Sequence, residues 1–432
     1  MEFVKGLKCV FCGGVYSTRV PYTCPACGIT GILDVQYDYP AIALRITRRS
    51  LARRPDYTHW RYRELLPIRE DAVLPRLSVG WTPVVQAESL AHQFRLRKLY
   101  LKDDGRNPTG STKDRASSLG VVKARENREK IIACASTGNA ASSLAGMAAS
   151  LGLKSIIFVP ERAPEPKVNQ LLIFGATVLR VRGSYEDAFQ LCQRSCERWG
   201  WYNRNSAINP YLMEGKKTAG LEICEQLGWK VPDWVAVSVG DGCTLAGVWK
   251  GFQETKTLGL VECAPRMLGV QAAGAAPVTA AFSSGEPLRP VTPQTIADSI
   301  AVGVPRNWKK AVLAVQASGG SMINVQDDEI LEAMRCTGRL SGIFAEPAAA
   351  AAVAGVRRAV EDGLIKHSAS VLALITGNGL KDIRSAQSAV TKPFDIAPDG
   401  AGLEEILQEG DLIPWGARQT IPLMRRMPRK DR

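Results

Sequence analysis

The sequence predicts an α/β protein in which helices cover both faces of parallel sheets, with a small cysteine-bearing unit ahead of them. Two observations carry this expectation. Short apolar runs at 131–135, 155–159, 177–181, 234–239, 266–270 and 371–375 alternate with helix-compatible stretches. Near-continuous apolar strands alternating with helices describe strands buried on both faces, which is how a parallel sheet reads. Two Cys-x-x-Cys pairs, Cys9 with Cys12 and Cys24 with Cys27, precede the first of these runs. The chain has 432 residues, room for two or three domains with a large core, and its 45% apolar and 22% charged residues are ordinary for a soluble globular protein.

In chain order, residues 1–38 form the first unit. Gly13-Gly14 follows Cys12, Gly28 follows Cys27, and Pro25 lies inside the second pair. Two such knuckles supply four thiolates in tetrahedral reach, the pattern of a structural zinc ribbon, with free or redox thiols as the alternative. Lys5, Lys8 and Arg19 keep a nucleic-acid-binding ribbon open as a reading. Residues 39–98 read as a linker and N-terminal arm, Arg-rich over 45–64. Net charge is +13, but the basic residues are scattered and the one dense run, 425–432, reads as a solvated end. A nucleic-acid partner is therefore disfavoured. No apolar run can span a membrane and no signal peptide opens the chain, so no membrane partner is expected. The odd count of eleven cysteines, without secretory context, points to reduced thiols in the cytoplasm.

Four short segments carry chemistry. Asn107-Pro108-Thr109-Gly110-Ser111-Thr112-Lys113-Asp114-Arg115 places Lys113 at or just inside a helix start. Free N–H groups and the helix dipole there disfavour a second cation, so Lys113 is a candidate for a lowered pKa and a nucleophilic amine. Ser136-Thr137-Gly138-Asn139 joins a strand to a helix and can grip a carboxylate or phosphate. Gly240-Asp241-Gly242-Cys243-Thr244 does the same after the 234–239 run, where two glycines let backbone N–H groups approach a phosphate. It has neither the dinucleotide G-x-G-x-x-G spacing nor a Walker lysine. Thr376-Gly377-Asn378-Gly379 ends the last strand and offers a hydroxyl to a ring nitrogen. Each alone is an ordinary turn. An amine, an asparagine turn, a phosphate cup and a hydroxyl together are the equipment for pyridoxal phosphate.

The arrangement resembles the fold-type II pyridoxal-phosphate enzymes, the tryptophan synthase β-like class, and within them the threonine synthase family. Asn107 to Arg115 is similar to that family's N-P-T-G-S-F-K-D-R. Asn209-Pro210-Tyr211-Leu212-Met213-Glu214-Gly215 resembles its N-P-Y-R-L-E-G, Ile343-Phe344-Ala345-Glu346-Pro347-Ala348 its I-F-A-E-P-A, and Thr376 to Asp382 its T-G-H-G-L-K-D. The stretches Thr295-Ile296-Ala297 and Pro305-Arg306-Asn307-Trp308 also match family segments. The resemblance implies two parallel or mixed sheet domains behind the ribbon. The catalytic region would cover 99–392 with a smaller subdomain at about 118–215, and a C-terminal extension would cover 393–432.

The resemblance also implies roles. Lys113 would hold the cofactor as the internal aldimine and shuttle protons. Asn139 would bond the ring hydroxyl, Gly240, Asp241, Gly242, Cys243 and Thr244 the cofactor phosphate, and Thr376 the pyridine nitrogen. Ser136, Thr137 and Ser111 would hold a small, anionic amino-acid substrate. Some relatives carry a similar four-cysteine ribbon. Three departures stand out: Thr112 replaces a Phe, the loop reads G-D-G-C-T rather than G-N-x-G-N, and Leu212 replaces an Arg expected to bind substrate phosphate. Arg162, Lys167, Arg204 and Lys216 are candidate replacements for its charge. The implied activity is conversion of O-phosphohomoserine to threonine and phosphate by a cytoplasmic homodimer. The alternatives are another fold-type II lyase or β-replacement enzyme, cysteate synthase-like, a serine/threonine dehydratase or a diaminopropionate ammonia-lyase, and a non-enzymatic regulator.

Overall fold

The computed structural model describes residues 1–409 apart from 21, 162, 164 and 207. Arg162 and the basic run 425–432 lie outside the described residues. The ribbon is a three-stranded antiparallel sheet of β1 (Val4–Cys9), β2 (Val15–Tyr16) and β3 (Leu33–Tyr37), in the order β2-β1-β3. An arm then leads to β4 (Val84–Gln86) and β5 (Lys98–Asp103). The smaller lobe follows with β6 (Ile131–Ala135), β7 (Lys154–Pro160), β8 (Thr177–Val181) and β9 (Tyr202–Asn203). The chain returns with β10 (Trp234–Ser238), β11 (Arg266–Ala272), β12 (Ser321–Val325) and β13 (Ser370–Ile375).

Two sheets result. The small lobe is a parallel sheet ordered β8-β7-β6-β9, and the large lobe is ordered β12-β11-β10-β13-β5-β4, parallel except for the antiparallel edge β4. Side-chain alternation explains why the strands read as continuous apolar runs. In β6, Ile132 and Cys134 pack with the helix Asn139–Ser150, while Ala133 and Ala135 pack with the helix Tyr185–Trp199 on the opposite face. In β10, Trp234 and Ala236 meet the helix Pro347–Glu361, and Val235 and Val237 meet the helices Leu212–Gln226 and Cys243–Thr257. Alanines let Pro347–Glu361 lie close on its sheet; a Cβ at Gly355 would sit 2.3 Å from Val270 Cγ2. The compact body runs from Met1 to Ala389. The remaining segment carries one described helix, Leu403–Glu409.

Charged clusters are buried inside the body. Arg115, on the helix Lys113–Glu126, pairs with Asp104 at 2.7 Å and Glu222 at 2.5 Å. Lys102 of β5 pairs with Glu222 at 2.6 Å, and all four side chains are fully buried. Two cations face two carboxylates, and Thr82 and Thr218 take further bonds. A second cluster seats the ribbon. Asp34 of β3 meets Lys250 and Lys310, Lys250 also meets Glu214, and Lys217 joins Glu214 to Glu254. The Tyr37 hydroxyl donates to Glu214 at 2.8 Å. Burial alone would raise the Asp34 carboxyl, but Lys250 and Lys310 outweigh it and hold it well below the usual range.

The first cluster makes stability acid-sensitive. Burial opposes ionisation of Glu222 and Asp104, but Arg115 dominates and depresses both. Carboxyls depressed in the folded state stabilise it above their unfolded pKa, about 4. That contribution is lost as pH falls through the depressed folded values. Glu222→Gln, which strands buried cations, is expected to cost about 3–5 kcal/mol at pH 7. It is also expected to flatten the dependence of stability on pH below about 4. Denaturant unfolding of both proteins at pH 7 and in acid measures both effects; an unchanged slope in the variant contradicts the assignment.

Candidate active site

The motif around Lys113 is stitched to the turn after β13. Thr112 N–H donates to Thr376 O at 2.8 Å, Asn378 N–H donates to Gly110 O at 3.0 Å, and Ser111 bridges Gly377. Gly110 sits at φ +83°, where a side chain would be strained. The Asp114 carboxylate accepts from Thr109 N–H at 2.7 Å and from its hydroxyl. Lys113 is thus the first residue of a helix whose entry is pinned on both sides.

A cavity of about 950 Å³ opens between the two lobes, within the range for small-molecule sites. Lys113, Ser136, Thr137, Asn139, Thr376 and the whole loop 240–244 line it. Ser111 is not among the lining residues; it is fully buried, and its hydroxyl accepts the Lys113 N–H at 3.4 Å. The loop 240–244 leads into the helix Cys243–Thr257, and Gly242 turns it at φ +92°. A Cβ on Gly242 would lie 2.9 Å from Ala311 Cβ and Asn307 O, so the cup is closed from behind. Asp241 Oδ1 accepts Arg306 N–H at 2.8 Å, whereas Asp241 Oδ2 and Ser238 Oγ are buried without partners. The Ser238 hydroxyl, unpartnered beside a helix N-terminus, can donate to an incoming phosphate, whereas the Asp241 carboxyl, raised by burial, contributes no attraction for one. The residues present fit pyridoxal phosphate and a small amino acid together.

The cavity is rich in cations. Burial, then the neighbouring Lys216 charge, lowers the Lys113 amine to about 8. Lys216 is buried and, among the described residues, has no hydrogen-bond or ion-pair partner. Arg204 is buried beside Ser117 and Ser206, with no carboxylate on it. Leu212 is fully buried against the Gly120 position and does not line the cavity. Of the cations named from the sequence, Arg204 and Lys216 therefore face the cavity. Lys167 instead pairs with Asp298 at 2.5 Å and lines a small adjoining pocket. Arg306, assigned no role from the sequence, also lines the cavity and reaches across to Glu186 at 3.2 Å. Glu346 lies there too, fully desolvated, and its burial raises its carboxyl. In the sequence it stands in the Ile343–Ala348 segment that resembles the family's I-F-A-E-P-A, where it is assigned no role.

The ribbon sulfurs converge separately. Cys9, Cys12, Cys24 and Cys27 Sγ atoms all lie within 4.8 Å of one another, with Cys12 to Cys24 at 3.6 Å and Cys9 to Cys27 at 3.9 Å. Four sulfurs at about 2.3 Å from a tetrahedral zinc lie about 3.8 Å apart. The donor set and its spacing fit that ion.

Comparison with known proteins agrees with this geometry. Residues 75–377 match the family described as "Pyridoxal-phosphate dependent enzyme". The chain is 38% identical over 406 residues to a threonine synthase of Methanocaldococcus jannaschii, covering 93% of this chain and 99% of that one. It is 40% identical over 391 residues to a threonine synthase of Methanosarcina acetivorans, covering 90% and 95%. Among solved structures, the processed form of threonine deaminase isoform 2 from Solanum lycopersicum matches with a TM-score of 0.63 at 23% identity, over 72% of this chain and 87% of that one. That structure shares the fold, a fold-type II pyridoxal-phosphate enzyme.

Borohydride treatment of the isolated, cofactor-loaded protein is expected to bleach its visible band and leave a reduced adduct on Lys113. Lys113→Ala is expected to lose the covalent link and nearly all activity. Peptide mass mapping of the adduct to another lysine contradicts the assignment.

Proposed function

The chain belongs to the pyridoxal-phosphate dependent enzymes with a threonine synthase-like function, and on that premise we propose that it converts O-phosphohomoserine and water to threonine and phosphate. The observation that carries the choice of substrate is the pair of buried cations, Lys216 and Arg204, that among the described residues no carboxylate contacts directly and that share the cavity with Lys113. An uncompensated cation in a low-dielectric site is stabilised by an anionic substrate.

Bound pyridoxal phosphate supplies an electron sink for negative charge developing on substrate carbon. The rest falls to the chain. Lys113, with its amine near 8, holds a useful neutral fraction at physiological pH. Lys113 would hold the cofactor through its amine, and the neutral amine would take the substrate's Cα proton and return protons. The backbone amides of 240–244 would hold the cofactor phosphate, Asn139 its ring hydroxyl and Thr376 its ring nitrogen. The neutral Thr376 hydroxyl draws less charge from the ring than a carboxylic partner would. Ser136 and Thr137 hold the substrate carboxylate. Lys216 and Arg204 hold the substrate phosphate and stabilise the charge that grows as it leaves.

The same reading assigns one structural zinc to Cys9, Cys12, Cys24 and Cys27, and places the enzyme in the cytoplasm as a homodimer. Eleven cysteines without a disulfide suit a reducing compartment. It divides the chain into a ribbon at 1–38, an arm at 39–98, a catalytic region at 99–392 with a subdomain at about 118–215, and an extension at 393–432.

Purified enzyme is expected to release phosphate and threonine in equal amounts from O-phosphohomoserine. Lys216→Met is expected to raise KM and lower kcat, with kcat/KM down about 10- to 150-fold for one charge-assisted bond. Turnover of phosphoserine or serine instead, with no phosphate from phosphohomoserine, overturns the substrate. Metal analysis is expected to find one zinc per chain, and Cys24→Ser is expected to lose it while keeping pyridoxal phosphate. Metal-free protein with four titratable ribbon thiols refutes the zinc assignment.

A further inference from the structure

Glu346 stands between the two lobes with no ordinary structural duty. It precedes the helix Pro347–Glu361, yet its side chain caps no backbone N–H there. Both carboxylate oxygens accept from Asn139 Nδ2 at 2.9 Å, and the same nitrogen lies 3.2 Å from Ser299 Oγ. Asn139 belongs to the small lobe and Glu346 to the large one, so this bond spans the cavity wall. The turn after Thr376 makes room for it: a Cβ on Gly377 would lie 2.3 Å from Glu346 Oε1. A glutamine could accept the same bond without a charge. Burying a carboxylate costs free energy unless a cation answers it.

The charges around it identify that cation. Glu346 lines the same cavity as Lys113, and the positive charges of Lys113, Lys381 and Lys167 favour its ionised form. Lys381 is occupied by Thr109 O, Ser142 Oγ and Gln170 Oε1, and Lys167 by Asp298. Lys113 faces Lys216, Arg204, Cys243 and Glu346, so Glu346 is its one carboxylate among them. We propose that Glu346 is a positioning residue with two effects: it holds the Asn139 amide in the orientation that meets the cofactor, and its negative charge steadies the protonated form of Lys113. The first effect rests on the reading of Asn139 given above; the second does not.

The experiment separates the two. In cofactor-free protein, Lys113 is acetylated with acetic anhydride across pH and its peptide quantified by mass spectrometry. Only the neutral amine reacts, so the midpoint reports its proton affinity. Glu346→Gln keeps the reach to Asn139 and removes the charge, and is expected to move the midpoint to lower pH by at least about half a unit. Glu346→Asp keeps the charge and withdraws the reach. It is expected to leave the midpoint in place and weaken pyridoxal phosphate binding, read by titration, about tenfold. Gly377→Ala displaces the carboxylate by crowding, and is expected to weaken binding similarly if Glu346→Asp folds poorly. An unchanged midpoint in Glu346→Gln overturns the proposal, as does wild-type cofactor affinity in the Asp and Ala variants. Failure of the wild-type protein itself to bind pyridoxal phosphate overturns the reading of the site instead, and leaves the acetylation shift to be judged by its own result.

Discussion

The buried guanidinium of Arg115 is the constraint on which the site depends. It lies two residues after Lys113 and clamps Asp104, just past β5, at one end and Glu222 at the other. Glu222 is on the helix that also carries Lys216. One planar ion therefore relates the two lysines of the cavity to each other and to the large sheet. An ammonium can touch two carboxylates but cannot fork onto each with two parallel bonds as this guanidinium does. Such clusters add little net stability over an apolar core, but breaking one is costly, so the arrangement tolerates few alternatives.

Close packing of backbone carries that constraint outward. A Cβ on Gly215 would strike Arg115 O, and one on Gly251 would strike Lys217 O at 2.2 Å. The helices Lys113–Glu126, Leu212–Gln226 and Cys243–Thr257 are thus in near contact, and the loop 240–244 is registered against Lys113 through them. At the mouth of the cavity the lobes are joined more lightly. Lys167 with Asp298 and Arg306 with Glu186 cross the mouth of the cavity as partly exposed pairs, which are individually weak.

Much of this is legible in the sequence because the chemistry is local. All six predicted strands are present; most of their residues are apolar or small and covered on both faces, while β8, at a sheet edge, is largely exposed and carries Arg180, and β11 opens on the exposed Arg266. Lys98–Asp103, the strand β5, escapes the same reading because it carries Lys98, Lys102 and Asp103. Lys102 is nevertheless fully buried, answered by Glu222, 120 residues away, and no local pattern announces such a partner. β2 and β9 have two residues each, too few for any periodicity. The lining of the cavity by Lys113, Asn139, Thr376 and 240–244 follows from strand-end turns that a parallel sheet gathers at one edge. The direction taken by each cation does not. Lys167, Arg204 and Lys216 look alike in sequence, and only the packing of their elements turns two inward and one toward Asp298. Ser111 reads as a substrate contact and is spent within its own turn.

The seat of the ribbon bears on how this architecture can be inherited. Lys250 and Lys310 belong to the catalytic body, yet both pair with Asp34 of the ribbon, and Lys310 also donates to Leu33 O at 2.7 Å. A body stripped of its ribbon would leave Lys310 without its carboxylate and Lys250 with Glu214 alone, and would lay apolar surface bare. The ribbon is therefore not a cassette that recombination could drop or graft without change. A lineage losing it would have to replace these lysines in step, so the presence of a ribbon and the identity of residues 250 and 310 are expected to travel together through descent.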